Sequence, residues 1–239
     1  MTALNVFLDR DTAQVFSDGA FVGPDGRLAY VSSKIHVLPH IPAVIAARGA
    51  NFWLTIAAGA LERFGSFDEL TDNAVERLRT APREYRSSSI AGRLNEPAEF
   101  IIVGWSERDG AMRCFTIRAG EWKLVPVTEG MVSPGSPAMV APLQAEGLDL
   151  TADLRTISED QGLALLRQQR LELSDEGGVE PFRYVGCLAQ LTTVTRDSVS
   201  TRILERWPDR VGERIEVGSR SAHLRQLQRN SRDALLRYG

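Results

Sequence analysis

Residues 2–49 decide the fold, and they read TALNVFLDRDTAQVFSDGAFVGPDGRLAYVSSKIHVLPHIPAVIAARG. The stretch is predicted to form strands separated by polar turns. The predicted strands are residues 5–8, 13–17, 28–31, 35–38 and 43–47. The cluster Asp9-Arg10-Asp11 separates the first two runs and is typical of a hairpin turn. Residues 43–47 are apolar at successive positions, which predicts a strand buried on both faces.

Two helices are predicted directly after this stretch. Residues 51–64 are apolar at most positions, and Asn51 is a candidate N-cap for them. The second helix begins at a capping-box pattern, Ser66 to Glu69, and its apolar residues recur at helical spacing until Pro82. These helices are therefore consecutive, without a strand between them.

The remaining chain is predicted to form a block of strands, then one helical segment, and then a last pair of strands. The capping-box pattern from Ser158 to Gln161 predicts a helix that ends near Arg170, and an earlier helical start at Thr151 is left open. The predicted strands are residues 100–105, 112–117, 122–127, 188–195 and 199–204.

Grouped strands and grouped helices argue against the alternating rhythm of a parallel sheet. The sequence predicts an α+β fold in which two antiparallel sheets lie between helical layers, a four-layer αββα sandwich. The length of 239 residues and the 43% hydrophobic content fit one domain with a sizeable core. We assign residues 1–217 to this domain and residues 218–239 to a basic amphipathic C-terminal helix.

Composition limits the classes of partner. The net charge of −3 and the pI near 5.7 do not favour nucleic acid or an anionic membrane, so a peptide or small molecule is the expected partner. Asp9, Arg10 and Asp11 interrupt any signal peptide, and no apolar run is long enough to span a membrane. We therefore expect a cytoplasmic protein.

The cysteines and histidines predict no metal site, and no cofactor is indicated. Cys114 and Cys187 share no ligand spacing with the three histidines, so they are interpreted as buried apolar thiols. His36 and His40 have the i, i+4 spacing of one helix face, but Pro39 and the strand pattern around them argue against a helix.

Thr2 lies directly behind Met1, and its small side chain permits removal of that methionine. A free Thr2 would carry a nucleophilic hydroxyl and a base on one residue, because an α-amino group titrates near pH ~8. Such a site needs a nearby ammonium that lowers the pKa of the amine and a carboxylate that holds the ammonium. Lys34 and Asp18 are the candidates for these roles.

Residues 2–49 resemble the N-terminus of proteasome β-subunits and their bacterial two-ring relatives. The intervals from Thr2 to Asp18 and from Asp18 to Lys34 are both 16 residues, which matches the family's spacing of a threonine, an aspartate and a lysine. The local text is also similar, at residues 15–18, 32–35 and 45–49. The resemblance implies an N-terminal-nucleophile (Ntn) hydrolase fold and a threonine hydrolase that cleaves amide or peptide bonds.

The same resemblance implies two further site residues and an assembly. Gly49 would donate its backbone N–H to the oxyanion, which suits a bare amide beside a helix N-terminus. Ser136, in the loop Ser133-Pro134-Gly135-Ser136, would hydrogen-bond the Thr2 amine. Because family members assemble into rings, a homo-oligomer is also implied.

The chain departs from the family's pattern in three places. The interval from Lys34 to Gly49 is one residue longer, and Asp18 is followed by Gly19-Ala20 where the family has a small polar residue and an arginine. The late Asp-x-x-Ser-Gly element has two competing counterparts, residues 175–178 and 185–187.

Two alternatives to the enzyme stay open from sequence. Thr2 can be an ordinary solvated terminus and Asp18–Lys34 a surface ion pair that stabilises by only ~0–1 kcal/mol. The chain can also be a catalytically silent scaffold or assembly protein of the same fold, of a prophage-like kind. Residues 220–239 carry five arginines and one aspartate. We interpret this segment as a helix that docks on an acidic surface of the same chain or of another subunit, and an arm that binds nucleic acid or a membrane surface is the weaker alternative.

Overall fold

The computed structural model describes residues 2–85, 90–128, 130–152, 154–174 and 180–218. In these ranges the chain forms eleven β-strands and four α-helices. The strands are β1 Leu4–Leu8, β2 Thr12–Asp18, β3 Ala20–Val22, β4 Leu28–Val31, β5 Ile35–Leu38, β6 Ala43–Gly49, β7 Ala98–Ser106, β8 Ala111–Arg118, β9 Leu124–Val127, β10 Leu188–Thr195 and β11 Val199–Arg206. The helices are α1 Phe52–Leu61, α2 Phe67–Thr80, α3 Val140–Ala145 and α4 Glu159–Gln169.

The strands form two main antiparallel sheets and a small ribbon. The first sheet has the order β1-β2-β10-β11, and the second sheet has the order β5-β6-β7-β8-β9, while β3 and β4 pair with each other. The prediction of an α+β fold with antiparallel sheets is therefore confirmed. Pairing of β2 with β10 joins the two ends of the described chain.

The hairpin between β1 and β2 is closed as predicted. The Asp9 carboxylate accepts hydrogen bonds from the backbone N–H groups of Asp11 and Thr12, both at 2.8 Å. An aspartate that binds the backbone two residues ahead is a common turn device. The turn sets the register in which Leu4 lies opposite Ser17.

Alternation along β1 buries both faces of this strand. Leu4 and Val6 join a cluster with Val44, Ile101 and Val103 of the second sheet. Ala3 and Phe7 point the other way, because successive side chains of a strand alternate between faces, and they pack with residues of α3 and α4. The second sheet packs in turn against α1 and α2 through a third cluster.

The helix caps follow the sequence signals in part. The Ser66 hydroxyl accepts the N–H of Glu69 at the start of α2, but the Glu69 carboxylate returns to Gly65 and not to Ser66. The capping box at Ser158 is complete and opens α4. Asn51 occupies the N-cap position of α1 as predicted, but it has helical backbone angles and its side chain makes no cap hydrogen bond.

Strand β3 and helix α3 were not predicted, and the helix start proposed at Thr151 is not observed. The three-residue strand β3 and the six-residue helix α3 are too short to give a periodic signal. None of the described positions among residues 151–158 is helical, so α4 does not begin at Thr151. The predicted C-terminal helix, residues 218–239, lies outside the described residues apart from Gly218, and the domain boundary stays a prediction.

Candidate active site

Asp18 and Lys34 form a buried ion pair where β2 ends and β5 begins. The Lys34 Nζ atom donates to Asp18 Oδ1 at 2.6 Å. The side chains are 0% and 1% exposed for Asp18 and Lys34, respectively. The alternative of a surface ion pair is therefore wrong.

Backbone amides complete the surroundings of the Asp18 carboxylate. Oδ1 also accepts the N–H of Ala3 at 3.1 Å, while Oδ2 accepts the N–H groups of Ala20 and Gly186 at 3.0 and 3.1 Å. A buried carboxylate is stable only when its oxygens are hydrogen-bonded in this way. Hydrogen bonds to Asp18 therefore hold the start of β1, the turn after β2 and the segment before β10 close together.

The Lys34 ammonium lies in an unusual environment for a lysine. Burial lowers its pKa, and the nearby charge of Arg48 lowers it too, whereas Asp18 and Cys187 act in the opposite direction. The net result is a pKa below the ordinary value of a lysine. The ammonium also lies 5.4 Å from the centroid of the Phe21 ring, a favourable cation–π distance.

Thr2 is held beside this pair by its neighbour Ala3. Because the Ala3 N–H binds Asp18, the main chain at residue 2 lies next to the ion pair. Thr2 is only 7% exposed, which is contrary to the alternative of an ordinary solvated terminus.

Thr2 lines a cavity of about 480 Å³. Gly49 lies in the same lining, so the structure brings the predicted nucleophile and the predicted oxyanion donor to one cavity. The other lining residues are Arg48, Pro97, Ala98, Glu99, Arg118, Ala119, Glu121, Ser133 and Pro134. Most of these side chains are apolar or form ion pairs with one another.

Gly49 ends β6 in a conformation that suits glycine. Its φ angle is +110°, and a Cβ atom at this position would lie 2.3 Å from the carbonyl oxygen of Pro97. No L-residue fits without movement of the backbone. A bare backbone therefore faces the cavity directly before α1.

A charged cluster forms one wall of the cavity. The Glu99 carboxylate accepts from Arg48 Nη1 at 2.9 Å and from Arg118 Nε at 3.1 Å. Burial raises the pKa of Glu99, but the hydrogen bonds and charges of both arginines outweigh burial and hold this pKa below its usual value. Glu99 is therefore a bound anion between two cations.

The two serines of the predicted loop have different surroundings. Ser133 lines the cavity with Thr2, and its hydroxyl accepts a hydrogen bond from Arg48. The Ser136 hydroxyl donates to Glu172 Oε1 at 2.7 Å. The prediction that Ser136 binds the Thr2 amine stays a prediction.

Residues 185–187 reach the ion pair through their backbone. Gly186 donates to Asp18, and the Cys187 N–H donates to Asp209 Oδ2 at 2.7 Å. A bidentate ion pair between Arg170 and Asp209 anchors this segment, with distances of 2.6 and 2.7 Å. The competing counterpart, residues 175–178, lies outside the described residues.

Several site residues were missed by sequence reasoning. Arg48 meets Glu99 and Ser133 across 51 and 85 residues of chain, and Asn5 meets Gln169 across 164 residues. Contacts of this kind leave no spacing signal in one sequence. Only the position of Arg48 directly before Gly49 could have suggested that it lines the site.

Both cysteines and two of the histidines lie among the described residues. Cys114 and Cys187 are free and buried, as predicted. His36 lies in β5, and the exposed His40 ring contacts the Phe64 carbonyl oxygen through Nε2 at 2.9 Å. Among the described residues, no three His, Cys, Asp or Glu side chains are grouped as metal ligands would be. No described helix has the length and apolar character needed to cross a bilayer.

Comparison with solved structures identifies a protein with a similar fold. The structure titled Anbu (Gly-1) mutant, from Hyphomicrobium sp. strain MC1, matches with a TM-score of 0.55 and 17% identity over 100% of this chain and 96% of that chain. Anbu is a bacterial proteasome-like Ntn hydrolase. The chain therefore has a fold similar to that of this proteasome-like protein. No family model and no curated protein matches the sequence, so the likeness rests on the structural comparison.

Proposed function

We propose that this chain is a threonine-type Ntn hydrolase that cleaves amide or peptide bonds after Met1 is removed. One observation carries the proposal. Ala3, the residue next to Thr2 in the chain, donates its N–H to the Asp18 carboxylate of the buried Lys34–Asp18 pair. A buried ion pair costs desolvation free energy and contributes little net stability. Its position beside a cavity-lining threonine supports a chemical role.

In the first half-reaction the Thr2 hydroxyl oxygen attacks the substrate carbonyl carbon. The hydroxyl proton passes to the Thr2 α-amine, and the carbonyl oxygen becomes an oxyanion that receives the Gly49 N–H. The C–N bond then breaks, the α-ammonium returns its proton to the leaving amine, and an acyl ester remains on Thr2.

In the second half-reaction water attacks this ester. The α-amine accepts a proton from the water, the bond between the acyl carbon and the Thr2 oxygen breaks, and the α-ammonium returns its proton to that oxygen as the acid product leaves. The Lys34 ammonium lowers the pKa values of the amine and hydroxyl through its charge, and Asp18 holds the ammonium in place. In this proposal the Ser136 hydroxyl is a ligand of the Thr2 amine.

The layering of the fold, the domain boundary, the substrate, the assembly and the cellular location are parts of the same proposal. The three hydrophobic clusters support an αββα sandwich with the two sheets at its centre. Residues 1–217 would form this domain, with residues 218–239 as its basic helix. A peptide or small amide substrate and a homo-oligomeric ring or dimer follow from the family resemblance. The cytoplasmic location is proposed from the charged residues 9–11.

A catalytically silent scaffold is the second candidate. Residues 185–187 bind Asp18 and Asp209 through backbone N–H groups, and their side chains bring neither a hydroxyl nor a carboxylate to the site. The Ser136 hydroxyl donates to Glu172. Both features favour a fold that keeps its ion pair for structure.

Intact-mass measurement with a covalent probe separates the two candidates. The enzyme should lose Met1 and gain one adduct from a peptide epoxyketone or a β-lactone, and Thr2→Ala should abolish the adduct. Thr2→Ser keeps the hydroxyl and should still react, while the control Thr201→Ala on exposed β11 should react normally. A retained Met1 with no adduct would overturn the proposed hydrolase.

A further inference from the structure

Ser133 is held at the cavity by three separate contacts. Its N–H donates to Asn5 Oδ1 at 3.0 Å, and its carbonyl oxygen accepts the N–H of Leu4 at 2.9 Å. Its hydroxyl accepts from Arg48 Nη2. The main chain of Ser133 is thus fixed relative to β1, the strand that begins beside Thr2, and its side chain is fixed relative to Arg48 of β6.

A buried amide pair supports this arrangement. Asn5 and Gln169 are both 0% exposed, and they exchange two hydrogen bonds of 2.9 and 2.8 Å. Gln169 Nε2 also donates to the carbonyl oxygen of Pro134 at 2.8 Å. A satisfied buried polar network of this kind specifies one geometry, here that of the Ser133-Pro134 wall.

The contact with Arg48 decides what the Ser133 hydroxyl can do. A hydroxyl has one proton to donate and two lone pairs to accept with. Because the guanidinium donates to Oγ, the hydroxyl proton is left for another acceptor. The cationic partner also polarises the O–H bond and makes it a stronger donor.

We propose that Ser133 is a further catalytic residue, whose hydroxyl donates to the reacting carbonyl oxygen of the amide substrate together with Gly49. Arg48 and the Asn5–Gln169 pair are positioning residues for it. This inference rests on the proposed hydrolase, and it assigns to Ser133 a contact that the sequence did not suggest. It is independent of whether Ser136 binds the Thr2 amine.

The test compares steady-state hydrolysis of a fluorogenic peptide amide by single and double variants with unchanged thermal unfolding midpoints. Ser133→Ala should lower kcat by about 10²-fold, the usual loss for one oxyanion donor, and Ser133→Thr should restore much of the activity. Arg48→Gln should lower kcat about 10-fold in the wild type, yet add no further loss in Ser133→Ala. This non-additivity distinguishes positioning from a general structural effect.

Each outcome is decisive. The control Ser200→Ala on exposed β11 should keep full turnover. Normal kcat in Ser133→Ala or fully additive effects of Arg48→Gln would overturn the role of Ser133 and leave the hydrolase standing. A wild type with no Thr2-dependent hydrolysis would overturn both proposals.

Discussion

The Lys34 ammonium nitrogen lies 2.6 Å from an Asp18 carboxylate oxygen, and both side chains are shielded from solvent. An exposed pair at this distance would contribute little to stability. A buried pair behaves differently, because removal of one partner leaves the other charge without compensation. Stability and proposed chemistry are therefore linked at this point of the fold.

Lys34→Met should abolish hydrolysis and also destabilise the protein. Loss of the ammonium leaves the buried Asp18 carboxylate with backbone donors alone, at an expected cost of about 3–5 kcal/mol in the free energy of unfolding. Urea denaturation and probe labelling measure the two effects. The other lysine, Lys123, is exposed, so Lys123→Met should change the unfolding free energy by less than about 0.5 kcal/mol. Full turnover in folded Lys34→Met would remove Lys34 from the mechanism.

Gly49→Ala should impair both folding and hydrolysis. The new Cβ would lie 2.3 Å from the Pro97 carbonyl oxygen, and the φ angle of +110° is strained for alanine. Gly110→Ala is the matched control, because φ is +57° and no atom lies within 4 Å of the added Cβ. We expect Gly49→Ala to cost about 1–3 kcal/mol more than Gly110→Ala in urea unfolding. Equal costs would show that the backbone at Gly49 moves freely.

Asp18 and Lys34 could be predicted because their spacing along the chain is regular. Asp18 lies at the end of one strand and Lys34 at the start of another, and their even spacing matches that of the family they resemble. Arg48 and Ser133 are brought together only by tertiary packing, so no periodic pattern records their contact.

The same limit explains which elements were predicted. Helices α2 and α4 have capping serines and apolar spacing, and both were predicted close to their observed bounds. Helix α3 has six residues with Pro142 among them, which gives less than two turns of pattern. Ser133 lines the cavity because residues 131–133 run beside β1. No sequence pattern predicts that path.

Gly162→Ala should destabilise the contact between α4 and β2. A Cβ at this position would lie 1.9 Å from the Phe16 ring, and overpacking of this kind costs about 1–3 kcal/mol. Gly59→Ala in α1 is the control, because its Cβ would meet only the Tyr85 hydroxyl at 4.0 Å. That change should stabilise by up to about 1 kcal/mol through helix propensity.

A smaller side chain at residue 16 should relieve the clash. The double variant Gly162→Ala with Phe16→Leu should be more stable than the sum of the single changes predicts, as a double-mutant cycle in urea measures. Additive changes would mean that α4 moves away from the sheet as a whole and that the Gly162–Phe16 contact does not fix the helix.

Cys114→Val should make the protein less sensitive to alkali. Burial raises the pKa of the Cys114 thiol above its ordinary value of 9.0, so the folded state keeps a proton that the unfolded state loses. The stabilising contribution is complete below pH 9.0 and falls as the pH rises toward the folded-state pKa. One such proton changes the free energy of unfolding by about 1.4 kcal/mol per pH unit. Urea unfolding between about pH 10 and 11, roughly one to two units above the ordinary thiol pKa of 9.0, should show a slope smaller by this amount in the valine variant. Other titrating groups, including Lys34 with its opposite sign, cancel in the difference between the two proteins. Identical slopes would mean that the Cys114 thiol ionises inside the folded protein.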